Sequence, residues 1–229
     1  MNKLPVIAAL VPMRHHSERV KQKNYRDFNG KPLFAWVLET LAASDMIAQI
    51  VINTDSPVIK EKAPAISGKI RILQRPQHLC AGEIPMNDIL LHDVAHVEAD
   101  YYLQTHSTNP LLRQETIERA IKAFLEQKEY DSLFSVTRWQ TRLWDQQGRP
   151  INHDPQVLVR TQDLPPVFEE NSNLYLFTKD ILQKRKSRIG EKPMLFEIEL
   201  LEAWDIDEEE DFILAELIQQ QRYRSVTSS

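Results

Sequence analysis

Two stretches near opposite ends of the chain carry side chains suited to phosphate chemistry. The first, Pro12-Met13-Arg14-His15-His16-Ser17-Glu18-Arg19-Val20-Lys21-Gln22-Lys23-Asn24, places four basic residues within ten positions. Guanidinium and ammonium groups pair with phosphate oxygens, and hydroxyls and loop amides add donors, so Arg14, Ser17 and Lys23 are candidates for a phosphate pocket. A solvated basic loop is the plainer reading of the same composition. The second stretch is Trp204-Asp205-Ile206-Asp207. Carboxylates at i and i+2 share one face of an extended segment. Asp205 and Asp207 would suit Mg²⁺, which takes a few oxygens from protein and the rest from water and phosphate. Alternatively Asp207 is a helix N-cap with Glu210 as its capping-box partner and Asp211 in the first turn, and both roles can coexist.

Other polar groups fall where strands should end. Asn53-Thr54-Asp55, Arg75 and the run Gln104-Thr105-His106-Ser107-Thr108-Asn109-Pro110 each follow an apolar or β-rich stretch, and ligands of open α/β sheets bind beyond the carboxyl ends of strands. His92 and His96 lie four apart on a helical pattern with no acidic base in register, which favours structure or solvent over a metal site.

The elements that must position these groups are readable from periodicity. Val6 to Val11 is a continuous apolar run, the pattern of a strand covered on both faces. Ala48 to Thr54, Ile70 to Leu73, Tyr101 to Gln104, Ser132 to Thr137 and Asn173 to Phe177 also read as strands. Between them, Lys31 to Ser44 sets Phe34, Val37, Leu38 and Leu41 at helical spacing; Met86 to Ala99 and Glu115 to Gln127 repeat it, and Asp211 to Arg222 closes the chain with a further helix. Alternating strand and helix predicts an α/β, three-layer Rossmann-like domain with a mostly parallel sheet. Residues 139–171 break the pattern. They hold several arginines and a run of prolines without clean periodicity, and read as an excursion from one domain covering 1–229, of the kind that serves a partner, a lid or a subunit contact.

With 229 residues and 42% hydrophobic content the chain can bury one large core. A formal net charge of −5 gives no overall positive field for nucleic acid or an anionic membrane. Cys80 is the single cysteine, which excludes an internal disulfide and a multi-thiolate metal site and suits a reducing compartment; it reads as a small packing residue. The apolar run near the amino terminus is too short to span a bilayer, so a cytoplasmic protein is expected.

Several segments together resemble the acylneuraminate cytidylyltransferase family, the CMP-sialic acid synthetases and their relatives acting on similar nonulosonic acids. Pro12-x-Arg14-x-x-Ser17 with Lys23-Asn24 is similar to the family's nucleotide loop, followed by Gly30-Lys31-Pro32-Leu33 at a helix start. Thr54-Asp55, Arg75-Pro76-x-x-Leu79, Leu103-Gln104 with Asn109-Pro110-Leu111, Asn171 with Tyr175, and Asp205-Ile206-Asp207 with Asp211 resemble its later motifs in order and spacing. The resemblance implies CMP transfer from CTP to the anomeric hydroxyl of an acidic sugar, with release of pyrophosphate. It implies that Arg14, Lys23, Asp205 and Asp207 are catalytic, that Asp205 and Asp207 hold Mg²⁺, that Arg14, Ser17, Lys23, Asn24 and Arg75 contact the nucleotide, and that Gln104 and Asn171 serve the sugar site. It further implies a homodimer joined through residues 139–171. Two departures bear on the site: His15-His16 replace a glycine pair, which predicts an altered phosphate cradle, and Ser172 stands where the strand motif carries glycine. Two other functions remain open, a different nucleotidyl- or glycosyltransferase with an Asp-x-Asp metal site, and a noncatalytic nucleotide- or sugar-binding homologue.

Overall fold

The computed structural model describes residues 5–227, with side chains described through Arg222. In chain order the elements are β1 (Ile7–Leu10), β2 (Asp27–Phe28), β3 (Lys31–Pro32), α1 (Leu33–Ala43), β4 (Gln49–Thr54), α2 (Pro57–Lys62), β5 (Ile70–Gln74), α3 (Met86–His96), β6 (Tyr101–Gln104), α4 (Gln114–Glu126), β7 (Ser132–Trp139), β8 (Val167–Phe177), α5 (Lys179–Arg185), β9 (Pro193–Glu197) and α6 (Glu209–Thr227). α6 runs on to Thr227, beyond Arg222 where the sequence reading ends its last helix, and Ser228 and Ser229 lie outside the described residues.

A seven-stranded sheet runs in the order β5-β4-β1-β6-β8-β7-β9. Every pairing is parallel except those of β8 with β6 and β7. β1 is fully buried, because helices cover both faces of a parallel sheet and its central strands must be apolar throughout. One cluster packs α1 and α4 against the sheet through Phe34, Leu38, Leu41, Ile117 and Ile121; a second packs α3 and α5 on the other face through Leu90, Val94 and Leu182. These are the three layers.

A third, smaller cluster is what the site depends on. Val20 from the front loop, Phe28 from β2, Leu33 and Trp36 from α1, Ile206, and Phe212 and Ala215 from α6 are buried together. Burying each such side chain is worth about 1.5–3 kcal/mol, so the cluster ties the loop after β1 to the segment before α6.

The structure differs from the sequence reading at several elements. β8 begins at Val167, not Asn173, and Val167 pairs with Trp139, so the irregular part of the excursion narrows to 140–166. The alternation that would have revealed this extension is weak because it is solvated: Phe168 is 42% exposed beside exposed Glu169 and Glu170. α2, α5 and β9 were not anticipated; α2 is nonetheless signalled by Ser56, whose Oγ accepts from Ile59 N, and by Pro57 at the first turn. At α6 the start is capped one residue later than expected. Asp211, not Glu210, accepts from the backbone N–H groups of Asp207 (3.1 Å) and Glu208 (2.8 Å).

Candidate active site

Beyond the carboxyl ends of β1 and β6 lies a cleft of about 500 Å³ whose wall includes Arg14, Ser17, Arg19, Lys23, Asn24, Arg75, His106, Ser172, Arg188, Asp205 and Asp207. The front loop is held in place from three sides. His15 N–H donates to Asp55 Oδ1 at 2.7 Å, its Nδ1 meets Ser56 Oγ at 3.0 Å, and its ring stacks on Tyr25. His15 and His16 are not among the left-handed residues; that conformation falls on Gln22, with φ of 60°. The loop therefore holds its course without the backbone freedom of a glycine pair, because the first histidine is bolted to the β4–α2 turn. Asn24 closes the loop, donating to Arg14 O at 2.9 Å and accepting from Ser107 Oγ at 2.8 Å. Gly82 lies against the loop from across the cleft: a Cβ there would sit 2.8 Å from Arg14 Nη1 and 2.7 Å from Glu18 Oε1.

The two carboxylates arrive by way of the residue between them. Ile206 is fully buried and its N–H donates to Thr108 O at 2.9 Å, so alternation along the extended segment turns Asp205 and Asp207 toward the cleft. Upstream, buried Glu202 fixes the approach, accepting from Arg113 N at 2.7 Å, Arg113 Nη2 at 2.8 Å and Thr116 Oγ1 at 3.0 Å. Lys23 Nζ donates to Ile206 O at 2.6 Å and stands 3.7 Å from Asp207 Oδ1; Arg19 Nη2 meets the same oxygen at 2.6 Å. Burial lowers the Lys23 ammonium from its ordinary value, with Asp207 and Asp205 opposing. Burial pushes the Asp205 carboxyl up, a hydrogen bond from Thr108 acts against it, and the charge of Asp207 adds to it. Asp205 Oδ1 is buried and has no hydrogen-bond partner among the described residues. A desolvated, unsatisfied carboxylate oxygen beside a second carboxylate is a donor set that a hard divalent cation fits.

Arg75 is buried, and its Nε and Nη2 donate to Asn53 Oδ1 and Asn53 O at 2.8 and 3.0 Å. Asn53 in turn donates to Asp93 Oδ1 at 2.5 Å, and burial raises the Asp93 carboxyl to about 7. Gln104 stands behind the wall. It accepts from Arg188 Nη1 and donates to Thr105 O (3.1 Å) and His106 Nε2 (2.9 Å). Because that bond makes Nε2 an acceptor, the proton of neutral His106 is on Nδ1; burial, with Arg188 and Lys23 nearby, presses its imidazole down to about 3.

Asn171 does not line the cleft. Its side chain accepts from Ser135 Oγ at 2.6 Å and donates to Thr137 Oγ1 at 3.1 Å, while Ser135 Oγ accepts from Leu174 N at 2.8 Å. These bonds replace ladder bonds across a bulge, where β8 takes five steps from Glu170 to Tyr175 against two on β7 from Val136 to Phe134. The bulge carries Ser172 into the cleft wall with φ of 58°, the left-handed conformation in which glycine is cheapest. Arg188, His106 and Gly82 were not singled out from sequence. Gly82 and Arg188 sit in loops without periodicity, whereas His106 lay inside a polar strand end already marked for the ligand rim.

Comparison with known proteins places this geometry in context. The family model described as Cytidylyltransferase matches residues 8–226. The post-translational flagellin modification protein B of Campylobacter coli is 26% identical over 222 residues, covering 93% of this chain and 94% of that protein. N-acylneuraminate cytidylyltransferase A of Danio rerio is 26% identical over 217 residues, covering 92% of this chain and 50% of that protein, so the chain spans about half the length of this relative. Among solved structures, that of CMP:2-keto-3-deoxy-manno-octonic acid synthetase complexed with CTP superposes with a TM-score of 0.71 at 18% identity, covering 95% of this chain and 99% of the other; at that identity the likeness is one of fold.

Proposed function

The chain belongs to the cytidylyltransferase family, and we propose that it transfers CMP from CTP to the anomeric hydroxyl of a nonulosonic acid, releasing pyrophosphate. In this reaction the sugar oxygen bonds to the α-phosphorus as its proton passes to water and the bond to the bridging oxygen breaks, and pyrophosphate departs with the electron pair. Little covalent chemistry falls to the protein, so alignment and neutralisation of charge on phosphate oxygens carry the catalysis.

One observation supports the reading above others: Lys23 Nζ, from the front loop, lies 3.7 Å from Asp207 Oδ1 near the end of the chain, on the wall of a cleft that also holds Arg14 and Asp205. Arg14 and Lys23 take the triphosphate oxygens. Lys23, seated on Ile206 O, is held beside the path of the leaving group. Ser17 and Asn24 contact the nucleotide from the loop, and Arg75, oriented by Asn53, contacts it from the β5 side. Asp205 and Asp207 hold Mg²⁺. When bound, Mg²⁺ supplies a Lewis acid that withdraws charge from the phosphate oxygens. Gln104 acts at the sugar site through the groups it holds. Residues 140–166, with Trp144, Val157 and Leu158 at 52%, 56% and 90% exposure, form the arm through which two copies join.

The test is a matrix of nucleoside triphosphates against N-acetylneuraminate, legionaminate and pseudaminate with Mg²⁺, read by mass spectrometry and pyrophosphate release. CTP-specific formation of a CMP-sugar acid is expected. Hydrolysis of a preformed sugar nucleotide, or CTP binding without turnover of any acid, would replace this function with a glycosyltransferase or a binding protein.

A further inference from the structure

Arg188, a cation on the cleft wall, has no phosphate contact in the scheme above. Arg188 lies in the loop after α5, where its backbone N–H is tied to Asn87 Oδ1 at 3.2 Å. Its guanidinium carbon lies over Tyr175, 3.4 Å from the ring centroid, and the group donates to Gln104 Oε1. The side chain is 15% exposed, and among the described residues the carboxylate within ion-pair reach is that of Glu170, at 3.9 Å and 44% exposed. Tyr175 cannot serve as counter-anion: burial raises its phenol to about 12, and its hydroxyl donates to Glu170, dividing that carboxylate's attention. Burial also lowers the guanidinium from its ordinary value, against the hydrogen bond with the Tyr175 hydroxyl and the charge of Glu170.

The surroundings specify what completes the charge. A desolvated guanidinium held by fixed partners presents its remaining N–H groups as a planar fork, which matches the two oxygens of a carboxylate. The supports are rigid. Gln104 is locked by bonds to Thr105 O and His106, and Tyr175 is fully buried within β8. His106, pressed by the charges of both Arg188 and Lys23, stands between this corner and the phosphate-facing lysine. Lys23, Arg14, Asp205 and Asp207 already account for the triphosphate and its metal.

We propose that Arg188, braced by Gln104 and Tyr175, receives the carboxylate of the acceptor sugar and selects acids over neutral sugars. This rests on the function proposed above and names the part of the wall that enforces its substrate class. Gln104 and Tyr175 are positioning residues, and Glu170 is the weak counter-charge that the incoming carboxylate supplants.

The experiment compares the acid that the wild type converts with its methyl ester, at saturating CTP. Wild type is expected to favour the acid by about 100-fold in kcat/KM, and Arg188→Gln to bring that preference below about 10-fold, mainly through KM for the acid. KM for CTP should stay within about two-fold, since the triphosphate contacts are untouched. Arg188→Lys, which keeps charge and loses the fork, should fall between them and guards against a fold defect in the glutamine variant, with melting curves recorded for both. A preference for acid retained in Arg188→Gln overturns the proposal, as does a loss confined to KM for CTP, which would make Arg188 a phosphate group. If wild type converts none of the acids, it is the proposed function that fails; equal wild-type affinity for N-acetylneuraminate and its methyl ester in calorimetry then overturns the Arg188 proposal as well.

Discussion

At the end of the cleft proposed above to take the triphosphate, Arg19 is 55% exposed and grips Asp207 and Glu208, themselves 49% and 54% exposed. At the opposite end, Arg188 is 15% exposed and fixed by an aromatic face and a buried amide. The pairs that Arg19 makes lie in solvent, each worth about 0–1 kcal/mol and easily exchanged. At the other end Arg188 sits in a pre-set hydrogen-bond network through Gln104, Thr105 and His106. The difference matches the two tasks proposed for this cleft. Charge on a triphosphate grows and departs during reaction, so the groups that meet it must give up their partners; a carboxylate that only orients the acceptor is served better by a rigid seat.

The largest expected effect tests the exchangeable end. Asp207→Asn should lower kcat by about 100-fold or more, since a group acting on developing charge is lost, yet shift the melting temperature by only about 2 °C because the broken pair is exposed. A large loss of stability with turnover intact would make the pair structural and erase the contrast. Arg14→Ala should raise KM for CTP about 10-fold, the cost of one charge-assisted contact; unchanged CTP kinetics remove Arg14 from the phosphate end.

Two titratable groups, His106 on the cleft wall and Asp93 behind Arg75 and Asn53, should have opposing pH slopes. His106, held down to about 3 from 6.5, is neutral in the fold and gains a proton on unfolding, so its contribution is complete above pH 6.5 and is lost as pH falls toward 3. Asp93, held up to about 7 from 3.8, keeps a proton that the unfolded chain releases; its contribution is complete below pH 3.8 and is lost as pH rises toward 7. Between pH 4 and 6.5, denaturant titrations of His106→Gln and Asp93→Asn should differ from wild type in slope with opposite sign, by up to about 1.4 kcal/mol per pH unit each. Slopes of the same sign would show that one of the two groups does not hold its proton state in the fold. The smallest effect is expected from Ser172→Gly, which should stabilise the chain by about 1 kcal/mol by relieving a left-handed non-glycine residue, measured as a rise in denaturation midpoint with an unchanged m-value.

How far the sequence foretold this molecule depends on whether the signal was local. The parallel half of the sheet was readable because burial on both faces forces unbroken apolar runs such as Ile7–Leu10. Asp205-Ile206-Asp207 was visible as a pair on one face, although the reason they face the cleft, the seating of Ile206 among Val20, Phe28 and Phe212, joins residues nearly two hundred apart. The Asp207 cap was placed one residue early because Glu210 and Asp211 are both competent acceptors and the register is set by tertiary packing. Arg188 was invisible for a different reason: among twenty-eight Lys and Arg residues, nothing local marks one that packs on an aromatic ring from another strand.

The bulge at Asn171 to Asn173 has one more consequence. It absorbs the extra residues of β8, so the outer ladder, Trp139 with Val167 and its neighbours, and the inner ladder, Phe134 with Tyr175, keep separate counts. The tip at 140–166 is thereby free to grow or shrink by insertion and deletion without rotating Tyr175, whereas a change of a single residue inside the bulge would flip one ladder relative to the other. Lineages of this fold can vary the projecting ribbon cheaply while the catalytic wall stays in frame.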